Sequence, residues 1–212
     1  MTIPVQDFNF FVGGMEDSIV ARLKTECEYA RDVDTYSGEL EDATDLRAAL
    51  EAQAYRFPLF LVSYAEGKNE DQGGLGPGII AQRRIKHECV FTVLCCDDNA
   101  RGERDRRRGG TDSIGVFKMM SDVDAALSRM QFRLTIEGES YLLNPEPLNW
   151  LRNNYITQLP DLTAYSMDFG TYFILATPDR STQAGGIVQE IDIEMYPGSK
   201  GRNLDSPGVL SD

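Results

Sequence analysis

Apolar positions change period several times along the chain, and each change marks an element. Met15, Ile19, Leu23 and Cys27 recur every fourth residue, with Val20 widening the stripe. This predicts an amphipathic helix over 15–30. Glu16 and Asp17 then fall in its first turn, where negative charge suits the helix dipole. Ahead of it, residues 3–12 hold Ile3, Val5, Phe8, Phe10, Phe11 and Val12 and are cut off by Gly13 and Gly14. That segment reads as an edge strand or as an arm that docks on a neighbour, because left bare it would aggregate. Residues 31–37 alternate Val33, Thr35 and Ser37 against Asp32, Asp34 and Tyr36, as a short, partly exposed strand does.

A second helix is expected from Asp42 as its cap, with Leu46, Ala49 and Leu50 as its stripe; it must stop before Phe57, since Pro58 disfavours helical geometry there. Residues 57–64 (FPLFLVSY) are apolar on both faces and predict a central strand buried on two sides. Residues 66–78 carry five glycines and a proline and predict a loop, without the Gly-Lys-Ser/Thr of a phosphate cradle. Residues 82–96 form the longest strand candidate, with Ile85, Cys89, Phe91, Val93 and Cys95 on one face and Arg84, Lys86, Glu88, Thr92 and Leu94 on the other. Residues 97–110 read as a charged surface loop leading to a helix capped by Thr111 or Asp112, whose core face is Ile114, Phe117, Met120, Val123, Leu127 and Met130. Phe132, Leu134 and Ile136 alternate as a strand; 141–154 reads as irregular. A strand over 162–176 points Tyr165, Met167 and Phe169 inward, with a bend expected at Gly170. Residues 187–196 alternate apolar against acidic, and a flexible tail is expected after Pro197.

Long parallel crossovers are few in this order, so the expected fold is α+β: a mixed, mostly antiparallel central sheet with helices packed on one face. The expected division is an apolar arm over 1–14, one domain over 15–178 and an extension over 179–212. With 212 residues the chain is long enough for a real core without staples. No apolar run is long enough to span a bilayer and the first residues do not read as a signal peptide, so no membrane contact and a reducing compartment are expected.

Thirty-four acidic against 21 basic residues give a net charge of −13. Such a surface repels phosphate backbones and anionic lipid. The charge is locally reversed in residues 101–108, where Arg101, Arg104, Arg106, Arg107 and Arg108 stand against Glu103 and Asp105. Arginine forks onto carboxylates, so this loop is a candidate for docking on an acidic neighbour. A solvated loop and contact with DNA are the other readings, the last lacking interleaved aromatics for stacking. Trp150 could anchor an interface or cover the core.

Catalytic chemistry has little to build on. There are four cysteines (Cys27, Cys89, Cys95, Cys96) and a single histidine, His87, which removes zinc-finger, HExxH and facial-triad sites by count. His87 and Cys89 share a strand face but make only half a zinc site. Asp97 and Asp98, with Glu88 upstream, are the one arrangement that could hold a divalent cation for a hydrolase or nuclease. No cofactor is expected.

The succession MEDSIVARLK, VDTYSGEL, FPLFLVSY, VFTVLC, RDRRRGG, IGVFKMMSDVDAAL and LTAYSMDFGTYFI resembles the Mu-like phage and prophage proteins encoded next to the tail sheath gene. These are similar in layout to phage tail terminators, and the resemblance covers roughly residues 15–178. It implies a non-enzymatic virion protein, made in the host cytoplasm, that forms a hexameric ring capping the tail tube and sheath and meeting the neck or connector protein. DNA would pass through the lumen without specific binding. A head–tail adaptor or baseplate subunit is the related alternative, and a metal-dependent hydrolase the alternative of another class. The residues expected at subunit interfaces are the five arginines of 101–108, Trp150, Phe8, Phe10 and Phe11 in the arm, and Ile191 and Ile193 in the late strand.

Overall fold

The computed structural model describes residues 3–4, 8–36, 46–74, 82–98, 103–110, 114–136, 139–142, 144, 146–158, 162–178 and 190–193. In chain order the elements are β1 (Ile3–Pro4), α1 (Phe8–Glu26), β2 (Asp32–Thr35), α2 (Leu46–Ala52), β3 (Leu59–Gly74), β4 (Gln82–Asp97), α3 (Glu103–Arg108), α4 (Val116–Leu127), β5 (Arg133–Ile136), β6 (Glu139–Leu142), β7 (Glu146–Gln158), β8 (Thr163–Pro178) and β9 (Glu190–Ile193).

The main sheet runs β2, β3, β4, β8, and β8 then carries two partners in succession on its outer side: β7 beside Thr163–Tyr172, and β9 beside Leu175–Ala176. Only β2 and β3 pair in parallel, with α2 as the crossover between them. The other pairings are antiparallel, so the α+β class with a mixed, mostly antiparallel sheet stands. β5 and β6 form a separate two-stranded ribbon.

Side-chain alternation divides the apolar residues between the two faces of this sheet. On one face Phe60, Val62, Cys89, Phe91, Val93, Cys95, Met167, Phe169 and Phe173 meet the apolar stripes of α1 and α4. On the other, Leu59, Leu61, Leu94, Cys96 and Ala164 are covered by Leu50 of α2 at one end of the sheet. The two long helices therefore share a face, and the short one closes part of the opposite face. Arg22 Nε of α1 reaches the Ala126 carbonyl at 3.4 Å, and just past the end of α1 the Tyr29 hydroxyl donates to Asp122 at 3.0 Å, so both hold this part of the chain to α4.

Several expectations are corrected here. Helix α1 begins at Phe8 and runs straight through Gly13 and Gly14, so the boundary expected at residue 14 falls inside it. The reason is packing: Phe11 and Val12 are one turn ahead of Met15 on the same buried stripe, and their burial outweighs the roughly 1 kcal/mol that each glycine costs a helix. Glu16 is consequently in mid-helix, where its carboxylate accepts the Tyr64 backbone N–H at 2.5 Å instead of facing a helix terminus. The loop expected from Glu66 is strand as far as Gly74: past a bulge at Ala65, Glu66–Asp71 pair in register with Ile85–Val90, and after a second shift Gly74 pairs with Arg83, forming a hairpin arm.

The helix expected to be capped by Thr111 or Asp112 starts instead at Val116, with Gly115 at its cap. Its buried face is Val116, Met119, Met120, Val123, Ala126 and Leu127, which turns Phe117 outward. The segment 141–154 is not irregular but holds the end of β6 and most of β7, and its missing alternation has a cause described below. The pairing of β8 with β4 continues without a shift through Gly170, so no bend interrupts it there. Asp42, Thr111, Asp112 and the tail after Pro197 lie outside the described residues.

Candidate protein interface

β7 closes one edge of the sheet, and it is an unusually broken edge. Its register on β8 shifts between Glu146 and Asn149, between Trp150 and Arg152, and between Tyr155 and Thr157. Leu151 and Ile156 are the extra residues at the second and third shifts. Each bulge resets which side chains face the core, so Trp150-Leu151 and Tyr155-Ile156 appear in sequence as apolar pairs with neither strand nor helix period. Bulges also spoil the outer row of backbone groups for extension by another strand. What β7 offers its surroundings is therefore side chains.

Those side chains are large and bare. Trp150 is 50% exposed, Leu151 55%, Tyr155 55% and Ile156 45%, and with Phe117 at 37% they make up the exposed large apolar residues among those described. Tyr155 and Phe117 are joined through a third ring and an arginine. The Tyr155 ring meets Tyr165 edge-on at 5.4 Å, Tyr165 meets Phe117 at 5.7 Å, and the Arg107 guanidinium lies over Phe117 at 5.1 Å. Leu151 lies across Gly170, where an added Cβ would come within 3.0 Å of it. Behind this edge, buried Asp168 accepts from Thr92 Oγ1 at 2.7 Å, Arg152 Nε at 2.6 Å and Asn154 at 3.4 Å, holding the middle of β7 in place. Four large apolar side chains left bare along one edge strand mark an interaction site far more often than decoration.

The arginine segment is helical at its centre: α3 spans Glu103–Arg108 and was expected as loop. Arg104 and Arg108 are exposed, and Arg107 is half-buried against Phe117. Arg106 lies in α3, and its side chain and the whole of Arg101 lie outside the described residues. Gly115 seats this helix against α4. It has φ +74°, and a Cβ there would collide with the backbone of Arg108 and Gly109. Arg107 is thus held over Phe117 of α4 by a helix seated through a backbone contact only glycine permits.

The other expected residues are placed differently. Phe11 is buried in the protein's own core, 6.1 Å from the Phe173 ring, and is not available to a neighbour. Phe8 and Phe10 stand in the first turn of α1, with side chains outside the described residues. Ile191 pairs with Ile3 and Ile193 with Leu175, so β9 already has strand neighbours on both sides within one chain. Trp150 is on the exposed edge and does not cover the core. Tyr155, Ile156, Leu151 and Phe117 were not anticipated; the unperiodic WLRNNYI run was their only sequence signal.

The groups considered for catalysis are not brought together. Glu88 and Asp97 sit nine positions apart on one strand, roughly 30 Å at strand rise, and Glu88 is paired with Lys86 at 2.6 Å. Among the described residues no three His, Cys, Asp or Glu side chains converge as a metal site. His87 is buried between the Tyr64 hydroxyl (3.1 Å), the Asn69 amide oxygen and the Phe173 ring, and burial pushes its pKa down. Gly67 makes room for this cluster, because a Cβ there would run into the Tyr64 hydroxyl. Burial also pushes the Cys89 thiol up to about 12 and those of Cys27, Cys95 and Cys96 upward, which keeps all four protonated and unreactive.

Residues 12–174 match the family model described as "Bacteriophage Mu, Gp37". No curated protein matches the chain. No helix is long and apolar enough to cross a membrane among the described residues.

Proposed function

Because this chain belongs to the bacteriophage Mu Gp37 family, we propose that it is a virion structural protein, the tail terminator of a contractile-tailed particle. In this reading copies assemble into a ring, a hexamer, that ends growth of the tail tube, caps the last sheath layer and receives the neck. The tube, sheath and neck proteins are its partners, and DNA passes through the ring without being read. The observation that carries the reading is the row of bare apolar side chains along β7, with Arg107 of α3 lying over Phe117 in the same chain of rings as Tyr155. A part that works by contact needs such an edge; a lone globular domain does not. The strong negative charge favours solubility of the free subunit before assembly.

Electron microscopy of tails grown with and without the protein tests this. Tails lacking it are expected to run past their normal length or to remain unjoined to heads. Tails of normal length joined to heads in its absence would refute the terminator reading.

A further inference from the structure

On the side of β3 away from β4, backbone groups are satisfied one after another until the hairpin arm begins. β2 pairs with Leu59–Val62, and the Tyr36 N–H extends that cover to the Val62 carbonyl at 2.9 Å. The Tyr64 N–H is then taken by the Glu16 carboxylate at 2.5 Å. Past the bulge at Ala65, no described strand lies beside residues 66–71 on this side, and all six are exposed. Gly67 has no side chain, so what it exposes is backbone. The alternation that turns the Tyr64 N–H outward, counted along unbroken β4, also turns the N–H and C=O of Gly67 and Asn69 outward. The Asn69 side chain is engaged with His87 Nδ1 on the face that α1 and α4 cover. Lys68 and Glu70 therefore stand on the opposite face, across from Glu88 and Lys86 of β4.

We propose that this edge pairs with the same edge of a second copy, antiparallel, about a two-fold axis at Asn69. Backbone alternation and charge together choose that register. Centred on Lys68 or on Glu70, the two copies set like charges directly opposite each other. Centred on Gly67 or on Asp71, the pairing runs into one of the two register shifts of β3. Centred on Asn69, Asn69 faces its own copy, Gly67 faces Asp71, and Lys68 faces Glu70 twice over. Each Lys68–Glu70 pair falls at a non-hydrogen-bonded position, where facing side chains come closest. Charged side chains guard an edge against arbitrary strands; here the run Lys68-Asn69-Glu70 is complementary to itself and admits its own copy. The bulged edge of β7 has no comparable regular row of backbone groups. A two-fold contact closes at two copies, so it is not the contact that builds a ring, and the inference stands apart from the terminator reading.

Sedimentation velocity of the full chain, with two sets of variants, tests it. Wild type is expected to sediment as a dimer. Lys68→Glu or Glu70→Lys sets like charges opposite at both positions and should weaken the dimer about tenfold. An equimolar mixture of the two variants should recover it, as should one chain carrying both exchanges. Circular dichroism checks the fold, since each exchange also alters the charge that faces β4. Register is read by cross-linking. Facing Cα atoms of a non-hydrogen-bonded pair lie about 4.5 Å apart, within reach of a disulfide. Lys68→Cys mixed with Glu70→Cys should therefore form dimers on oxidation, while either variant alone should not. The four native cysteines are buried, so a bond reports on the new ones. Should a charge variant lose its fold, the cysteine pair decides alone. A monomeric wild type would overturn the proposal, and so would a dimer indifferent to both charge exchanges. Lys68→Cys bonding to itself as readily as to Glu70→Cys would overturn it as well, because that places the axis elsewhere.

Discussion

His87 shows how one side chain couples the fold to its medium. Burial among Tyr64, Asn69, Phe173 and Cys89 lowers its pKa below the ordinary 6.5. The unfolded chain therefore binds this proton more readily than the native one, and the group's contribution to stability is present above about pH 6.5 and lost as pH falls below it. The urea midpoint should drop between pH 7.5 and pH 5.5, and His87→Gln should flatten that part of the profile. An unchanged slope in the variant would remove the assignment. Gly115 is a second decisive position. Its positive φ and its contact with Gly109 leave no room for a side chain, so Gly115→Ala should destabilise the protein by about 2 kcal/mol or more and unseat α3. Denaturant titration reads the first effect, and loss of Arg107 protection from a guanidine-modifying reagent reads the second. Neither position could be weighed from sequence: His87 looked like half a metal site, and nothing in a lone glycine reveals that the backbone of Arg108 and Gly109 lies where its missing Cβ would be.

At the scale of elements, legibility followed periodicity. The fourfold spacing from Met15 to Cys27 and the alternation in β4 and β8 put the right residues on the right faces. The elements misread were those where packing or pairing overrode a local signal. Gly13 and Gly14 looked like a terminus, yet Phe11 and Val12 carry the helix through them. Added Cβ atoms at both glycines would meet open space, so Gly13→Ala and Gly14→Ala should each stabilise the protein by about 0.5–1 kcal/mol. A lower melting temperature in either would show that the helix depends on those glycines. The polar, glycine-bearing residues after Glu66 looked like loop because a paired arm outside the core has no apolar face to betray it. β7 was invisible for the opposite reason, since its bulges scramble a face that does exist.

At the scale of the molecule, the sequence shows that charge is unevenly placed, and the structure shows that Arg107 of the basic run joins a chain of rings that reaches Tyr155 on β7. An association that uses the arginines of α3 should weaken as salt is raised, because exposed charges are screened beyond about 10 Å at 0.1 M ionic strength. Sedimentation from 50 mM to 500 mM salt should show a falling mass; a mass that rises with salt would mean that the aromatic row acts alone.

β4 and β8 are matched over all sixteen positions of each without a slip, and each is flanked on both sides along most of that length. Their amides can trade hydrogen for deuterium only when the whole sheet comes apart. The outer strands have no such lock, so β2 and β7 should label early in the free subunit. When subunits join, an outer strand that becomes covered should label late while β4 and β8 keep their pace, giving a record of which borders have become interior.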